Sequence, residues 1–221
     1  MKSIDTIRLR IALGCLGIAL PWIVLLLCVI YDCVPGPHIF PQSISATWYY
    51  EETVTPFMII LGSSSILLMC YKGYTWVDDI INTLTGIAGL CICLFPCSHY
   101  GRTLVGTFQL PQDVSGWIHN GAAIVFFVLL AYNVLFLFTK SSGVMTNNKK
   151  RRNIIYYICG FGMLLSLLSI VVVALFNVYA GIWAIEACAL MFFGIAFLTK
   201  ADVFPFLFCD SAFVDKDTDN A

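Results

Sequence analysis

"GWIHNGAAIVFFVLLAYNVLFLF", Gly116 to Phe138, runs for 23 residues without an Asp, Glu, Lys or Arg. At about 1.5 Å of rise per residue, a helix of that length crosses a hydrocarbon layer about 30 Å thick. The stretch nonetheless opens on an imidazole, His119, and an amide, Asn120, and carries a second amide at Asn133. Burying a polar group in an apolar medium without a partner costs roughly 2–7 kcal/mol. The stretch therefore defines a membrane span and raises the question of what its polar groups meet.

The rest of the chain has the same character. Of its 221 residues, 60% are hydrophobic and 11% charged, with a mean hydropathy of +0.88; soluble domains carry about 25% charged residues. Lipid must be part of the solvent, so the class is a polytopic membrane protein. Five further segments approach the length of a span of about 20 residues: Ile11–Tyr31, Val54–Cys70, Ile80–Cys97, Asn153–Asn177 and Ile182–Thr199. A barrel would show alternating strands of about ten residues instead. The expected architecture is all-α: one six-helix transmembrane domain over residues 1–200 and a short cytoplasmic tail over 201–221. The linker "VYAG" forces the fifth and sixth helices into a tight hairpin.

With the N-terminus inside, eleven of the twelve Lys and Arg residues fall on the cytoplasmic side and only Arg102 lies outside. The positive-inside rule then places both termini in the cytoplasm. The basic run "KKRR", Lys149–Arg152, abuts a span, so it reads as a topology signal and not as a nucleic-acid site. The first apolar run has no small-x-small cleavage site after it and reads as a retained signal-anchor. "VFPFLF", Val203–Phe208, suits the membrane interface. There is no Asn-x-Ser/Thr sequon, which fits a bacterial inner membrane, and no internal repeat of the transporter kind.

Ten cysteines suggest a framework until they are placed on the spans. Cys15, Cys28, Cys70, Cys91, Cys93, Cys159 and Cys188 fall within them, where cysteine serves as a small apolar side chain. Cys209 is cytoplasmic. Cys33 and Cys97 fall on the outer side, where an oxidising environment would allow a disulfide between them.

Ionisable groups inside spans are functional candidates by default. Glu186 in "IWAIEACAL" and His119 both lie near the outer ends of their helices, so they share a depth. His119, Phe126 and Asn133 recur every seven residues and fall close to one face, with Ala122 and Ala123 permitting close helix approach. "GSSS" (Gly62–Ser65) and "NTLTG" (Asn82–Gly86) read as packing features, and Asp78 and Asp79 as carboxylates suited to a helix N-terminus. The first outer loop, "PGPHIFPQSISATWYYEE", has no Lys or Arg; its Trp48, Tyr49 and Tyr50 suit an interfacial belt, and the loop can also fold over the bundle as a lid.

"SGWIH" sets Ser115 and His119 at an S-x-x-x-H spacing that resembles one motif of the ceramidase and adiponectin-receptor superfamily. That resemblance implies zinc held by further histidines, including an H-x-x-x-H pair on the last helix. This chain has no histidine there, and its others, His38 and His99, are in outer loops. A second resemblance rests on "SIS" (Ser43–Ser45), "LFP" (Leu94–Pro96) and "HNGAA" (His119–Ala123), in this order in a six-span chain, and, for the bacterial proteins named next, on the Ile-Ser loop with the "YKGY" turn (Tyr71–Tyr74). Over roughly Ser43–Phe138 the chain resembles the DRAM-like six-span superfamily, which includes autophagy modulators and lipid-anchor remodelling factors, and uncharacterised bacterial multi-pass proteins. Ala46-Thr47-Trp48 and Pro96 stand where the superfamily has Asp-Thr-Gly and Gln. The resemblance implies architecture and an association with lipid.

The expected site is therefore an outer-leaflet polar cluster of His119, Glu186, Asn120, Asn133, Ser43 and Ser45, binding a membrane lipid or another amphipathic ligand, or serving as a scaffold. No metal, cofactor or catalytic residue is assigned. The alternatives are a proton-coupled permease using Glu186 and a metal-dependent membrane hydrolase.

Overall fold

A computed structural model describes residues 4–73, 75–99, 101–140, 146–176 and 178–204. The tail from residue 205, with Cys209 and Lys216, lies outside the described residues, as does Lys2; so does all but the start of Val203–Phe208. Six helices form: α1 (Ile4–Tyr31), α2 (Glu51–Cys70), α3 (Trp76–Leu94), α4 (Gln112–Tyr132), α5 (Asn147–Phe176) and α6 (Gly181–Lys200). Each is long and apolar enough to cross a membrane. The protein is an integral membrane six-helix bundle.

Several boundaries differ from those expected, each for a local reason. α3 starts at Trp76, not Ile80, because Thr75 and Asp78 form a reciprocal capping box. It ends at Leu94 because a residue preceding proline, here Phe95 before Pro96, is driven out of helical geometry. α4 begins one turn earlier than Gly116 and continues through a π-helical turn at Asn133–Leu137. α5 takes the KKRR run into its first turns. A short antiparallel strand pair, β1 (Leu104–Val105) with β2 (Leu110–Pro111), also forms in the loop before α4.

Each helix packs on its chain neighbours, and α6 also packs on α1, which closes a ring. Its interior is filled by side chains such as Leu13, Val24, Leu68, Leu130, Met163 and Phe197. Trp22, Leu26, Ile59, Ile66, Leu84, Ile124, Leu165 and Leu168 project outward, as lipid contact requires. Ser64, Ser65 and Thr85 return their hydroxyls to carbonyls of their own helices, at 2.8, 2.7 and 2.7 Å, as read for these packing segments. The seven-residue stripe of α4 faces inward as expected: His119, Phe126 and Asn133 are all buried. The hairpin between α5 and α6 turns through Ala180 with φ of 57°, a left-handed conformation costly for a residue with a Cβ.

The closing seam of the ring depends on glycine. A Cβ on Gly194 of α6 would lie 2.7 Å from the carbonyl oxygen of Gly14 on α1. Gly194→Val should therefore destabilise the bundle by about 1–3 kcal/mol, the usual effect of overpacking. Gly62, with nothing within 4 Å of its would-be Cβ, supplies the control: Gly62→Ala should leave the thermal unfolding midpoint in detergent nearly unchanged.

Candidate functional site

The loop between α1 and α2 crosses the end of the ring opposite Arg10, Lys140, Lys149 and Lys200, and three hydrogen bonds tie it to α6 and to α3 and its C-terminal end. Trp183 N–H of α6 donates to the Gln42 carbonyl at 3.2 Å. Trp48 Nε1 donates to the Cys93 carbonyl of α3 at 3.2 Å, and the Tyr49 hydroxyl donates to the Cys97 carbonyl. Internally, a 3-10 turn at Ser45–Tyr49 is fixed by Ala46 N–H donating to Ser43 Oγ at 2.9 Å. The Thr47 hydroxyl donates to the Ile44 carbonyl at 2.6 Å. The loop is a lid with fixed geometry.

Beneath the lid, Glu186 of α6 receives the Ile44 N–H on Oε2 at 2.6 Å and the Ser45 hydroxyl on Oε1 at 3.5 Å. Ser45 Oγ lies 3.1 Å from His119 Nε2, and His119 Nδ1 lies 2.8 Å from the Phe95 carbonyl oxygen. A carbonyl oxygen only accepts, so Nδ1 carries a proton. Two arrangements of one further proton remain. The Ser45 hydroxyl can donate to Nε2 while a protonated Glu186 donates to Ser45. Alternatively an imidazolium donates to Ser45, which donates to the Glu186 carboxylate. The chain of bonds thus joins a carboxyl to an imidazole through one hydroxyl.

Three short segments that the sequence set apart meet here. The Phe95 carbonyl of "LFP" holds His119, and its neighbour Pro96 receives the Ser115 hydroxyl at 2.7 Å. Ser45 of "SIS" closes the contact with the imidazole. His119 and Glu186, expected to share a depth, are joined by Ser45 and not by a direct bond. Ser43 acts one step away, as the cap of the lid turn.

Two expected members do not belong. Asn120 follows His119 by about 100° around the helix and is exposed on the outer face of α4. Asn133 is buried but fourteen residues further along α4, about 21 Å away at helical rise; its Nδ2 donates to the Leu129 carbonyl at 2.9 Å. His38 and His99 are also apart from the site: His38 stacks on Tyr179 at 3.6 Å between ring centres, and His99 meets Tyr49 edge-on at 4.3 Å. No three His, Cys, Asp or Glu side chains among the described residues group to hold a metal ion.

The polar chain forms the roof of an apolar cleft. Ile44, Ser45 and Glu186 line its upper side; Leu20, Phe57, Leu61, Ile92, Ala123, Phe126, Phe127 and Leu190 line the rest. The cleft is narrow and partly open, with about 40 Å³ wide enough for the centre of a water molecule. A wider groove of about 270 Å³ by that same measure lies on the outer side of the lid, lined by Trp48, Tyr49, Tyr50, Glu51, Val54 and Arg102. It contains neither His119 nor Glu186.

Cys33 and Cys97 are free thiols, and the Cys33 thiol is directed at the Cys28 carbonyl, 4.0 Å away. Burial, reinforced by the Glu186 charge, pushes the Cys97 thiol up to about 12. Burial likewise raises the Tyr49 hydroxyl to about 12, so it remains a donor to the Cys97 carbonyl at neutral pH.

No protein-family model, curated protein or solved structure matches this chain.

Two outcomes follow from this geometry. Glu186→Ala strands the Ile44 N–H and should destabilise the lid by about 1–3 kcal/mol; its measure is faster chymotryptic cleavage after Tyr49 and Tyr50, half-buried in the lid. At pH 7.5, where the Cys97 thiol stays protonated, a maleimide should modify Cys97 at least tenfold more slowly than a model thiol, with mass spectrometry assigning the position.

Proposed function

We propose that this integral membrane protein binds a lipid or another amphipathic ligand beneath its lid. The hydrocarbon part occupies the cleft between α1, α2, α3, α4 and α6, and a polar group meets Ser45 and Glu186. The observation that carries this reading is the composition of the cleft: apolar walls with a carboxyl and a hydroxyl at one end only. Such a pocket orients an amphipathic molecule, since a few convergent polar groups fix direction while apolar contact supplies area. The narrowness of the cleft implies that side chains such as Phe127 and Leu190 move aside on binding. With the basic end inside, as the Lys and Arg distribution suggests, the site belongs to the outer leaflet; the absence of a sequon fits a bacterial inner membrane.

A proton-coupled permease using Glu186 is the second reading, favoured by the chain from Glu186 through Ser45 to His119. It is the weaker one, because Ser64, Ser65 and Asn133, buried further along the bundle, bond their own helices and supply no continuation of the chain.

The test is saturable binding of cis-parinaric acid, a fluorescent fatty acid, to the purified full chain in detergent. Ala123→Phe, which fills the cleft, should weaken binding at least tenfold and leave the unfolding midpoint within a few degrees. Binding unchanged by Ala123→Phe would show that the probe sits on the lipid-facing surface, and the reading would fail.

A further inference from the structure

The basic end of the bundle contains a buried cation that meets only neutral groups among the described residues, the Tyr71 ring at 5.5 Å included. Arg10, on α1 within the first span, is buried, 7% exposed. Its Nε donates to the Tyr71 hydroxyl at 2.9 Å and one Nη donates to the Lys200 carbonyl at 3.3 Å. These bonds use two of the five N–H donors of a guanidinium, and both acceptors are neutral. Among the described residues no carboxylate pairs with Arg10, although the nearby acids are engaged: Asp78 with Lys140, Asp79 with Lys72 and Asp202 with Arg152. Taking a charge out of water without a counter-charge is costly.

A cavity lies against this guanidinium. It measures about 90 Å³, by the measure that gives the cleft about 40 Å³, and is lined by Arg10, Tyr71, Lys72, Gly73, Leu137 and Phe138. Lys72 is largely exposed, and its ion pair with Asp79, at 3.5 Å, is one that a stronger anion can displace. The cavity thus offers a buried guanidinium fork and an exposed ammonium. That division suits phosphate, since arginine binds oxyanions in a bidentate fashion and lysine acts as a point charge. Basic pockets between spans at a membrane surface recurrently take headgroups.

We propose that the cavity between Arg10 and Lys72 is a binding site for a phosphate group, separate from the cleft under the lid. The bound phosphate supplies the counter-charge that Arg10 lacks among the described residues, and it bridges α1 to the turn between α2 and α3. Both a lipid headgroup and free phosphate present this chemistry.

The experiment follows the thermal unfolding of the purified full chain in dodecyl maltoside during titration with phosphatidate, phosphatidylcholine, oleate or inorganic phosphate. Phosphatidate should raise the midpoint saturably, and phosphatidylcholine and oleate should not. In Lys72→Gln, a change at an exposed position that leaves the fold intact, half-saturation should need at least tenfold more phosphatidate; Arg10→Gln should show the same or a larger loss. An equal rise with inorganic phosphate supports the site and identifies a soluble ligand, whereas a rise with phosphatidate alone identifies a lipid. Oleate or phosphatidylcholine as effective as phosphatidate, half-saturation in Lys72→Gln within twofold of the parent, or no shift with phosphatidate and none with inorganic phosphate would overturn the proposal.

Discussion

A carboxyl group in a membrane helix must find hydrogen-bond donors within reach, because lipid offers none. Glu186 finds them in the backbone and side chain of the loop that crosses the ring, at Ile44 and Ser45. That requirement organises the whole end of the protein. Once Ile44 and Ser45 are fixed, Ser45 presents its hydroxyl to His119, and His119 in turn holds the bend at Phe95 where α3 stops. One polar group thus links the lid, the end of α3 and the start of the inward face of α4.

The two ends of the bundle handle polarity in opposite ways. Under the lid, one carboxyl and one imidazole are linked by a hydroxyl and shielded from water. At the basic end, Lys149 and Lys200 both donate to the carbonyl of Phe138, at 2.8 and 3.0 Å, and Lys200 lies over the Phe138 and Tyr156 rings at 5.2 and 5.8 Å. The π-helical turn before Phe138 matters here, since residues 133–137 hydrogen-bond with a wider spacing than an α-helix. Aromatic faces and carbonyl oxygens together allow cations to remain at the edge of an apolar interior.

The helices were legible in the sequence because hydrocarbon imposes one simple rule on span length and charge, and uncharged runs such as Gly116–Phe138 obey it. The ends were less legible, since they depend on local devices such as the Thr75–Asp78 box and on segments that leave the membrane. Depth alone brought Glu186 and His119 together, but not the mediator: Ser45 lies 141 residues from Glu186 and 74 from His119, and no periodicity connects a loop to two helices. Asn120 was misplaced by adjacency, because neighbours in a helical sequence point about 100° apart. Arg10 escaped attention because near a span end a basic residue serves as a topology signal, and its burial depends on where Tyr71 and α6 come to lie.

The ring has a consequence in time. α6 is the last of the six helices to be made, and it carries both Glu186 and the Gly194 surface that meets α1. Until α6 enters the membrane, the seam stands open to lipid and the lid lacks its carboxylate, so neither the cleft nor its polar roof exists in a nascent chain. Assembly of the site and completion of the bundle are therefore a single event. A chain stalled before its last helix would expose the unfilled α1 surface and the loose lid, two features by which membrane quality control could recognise it as unfinished.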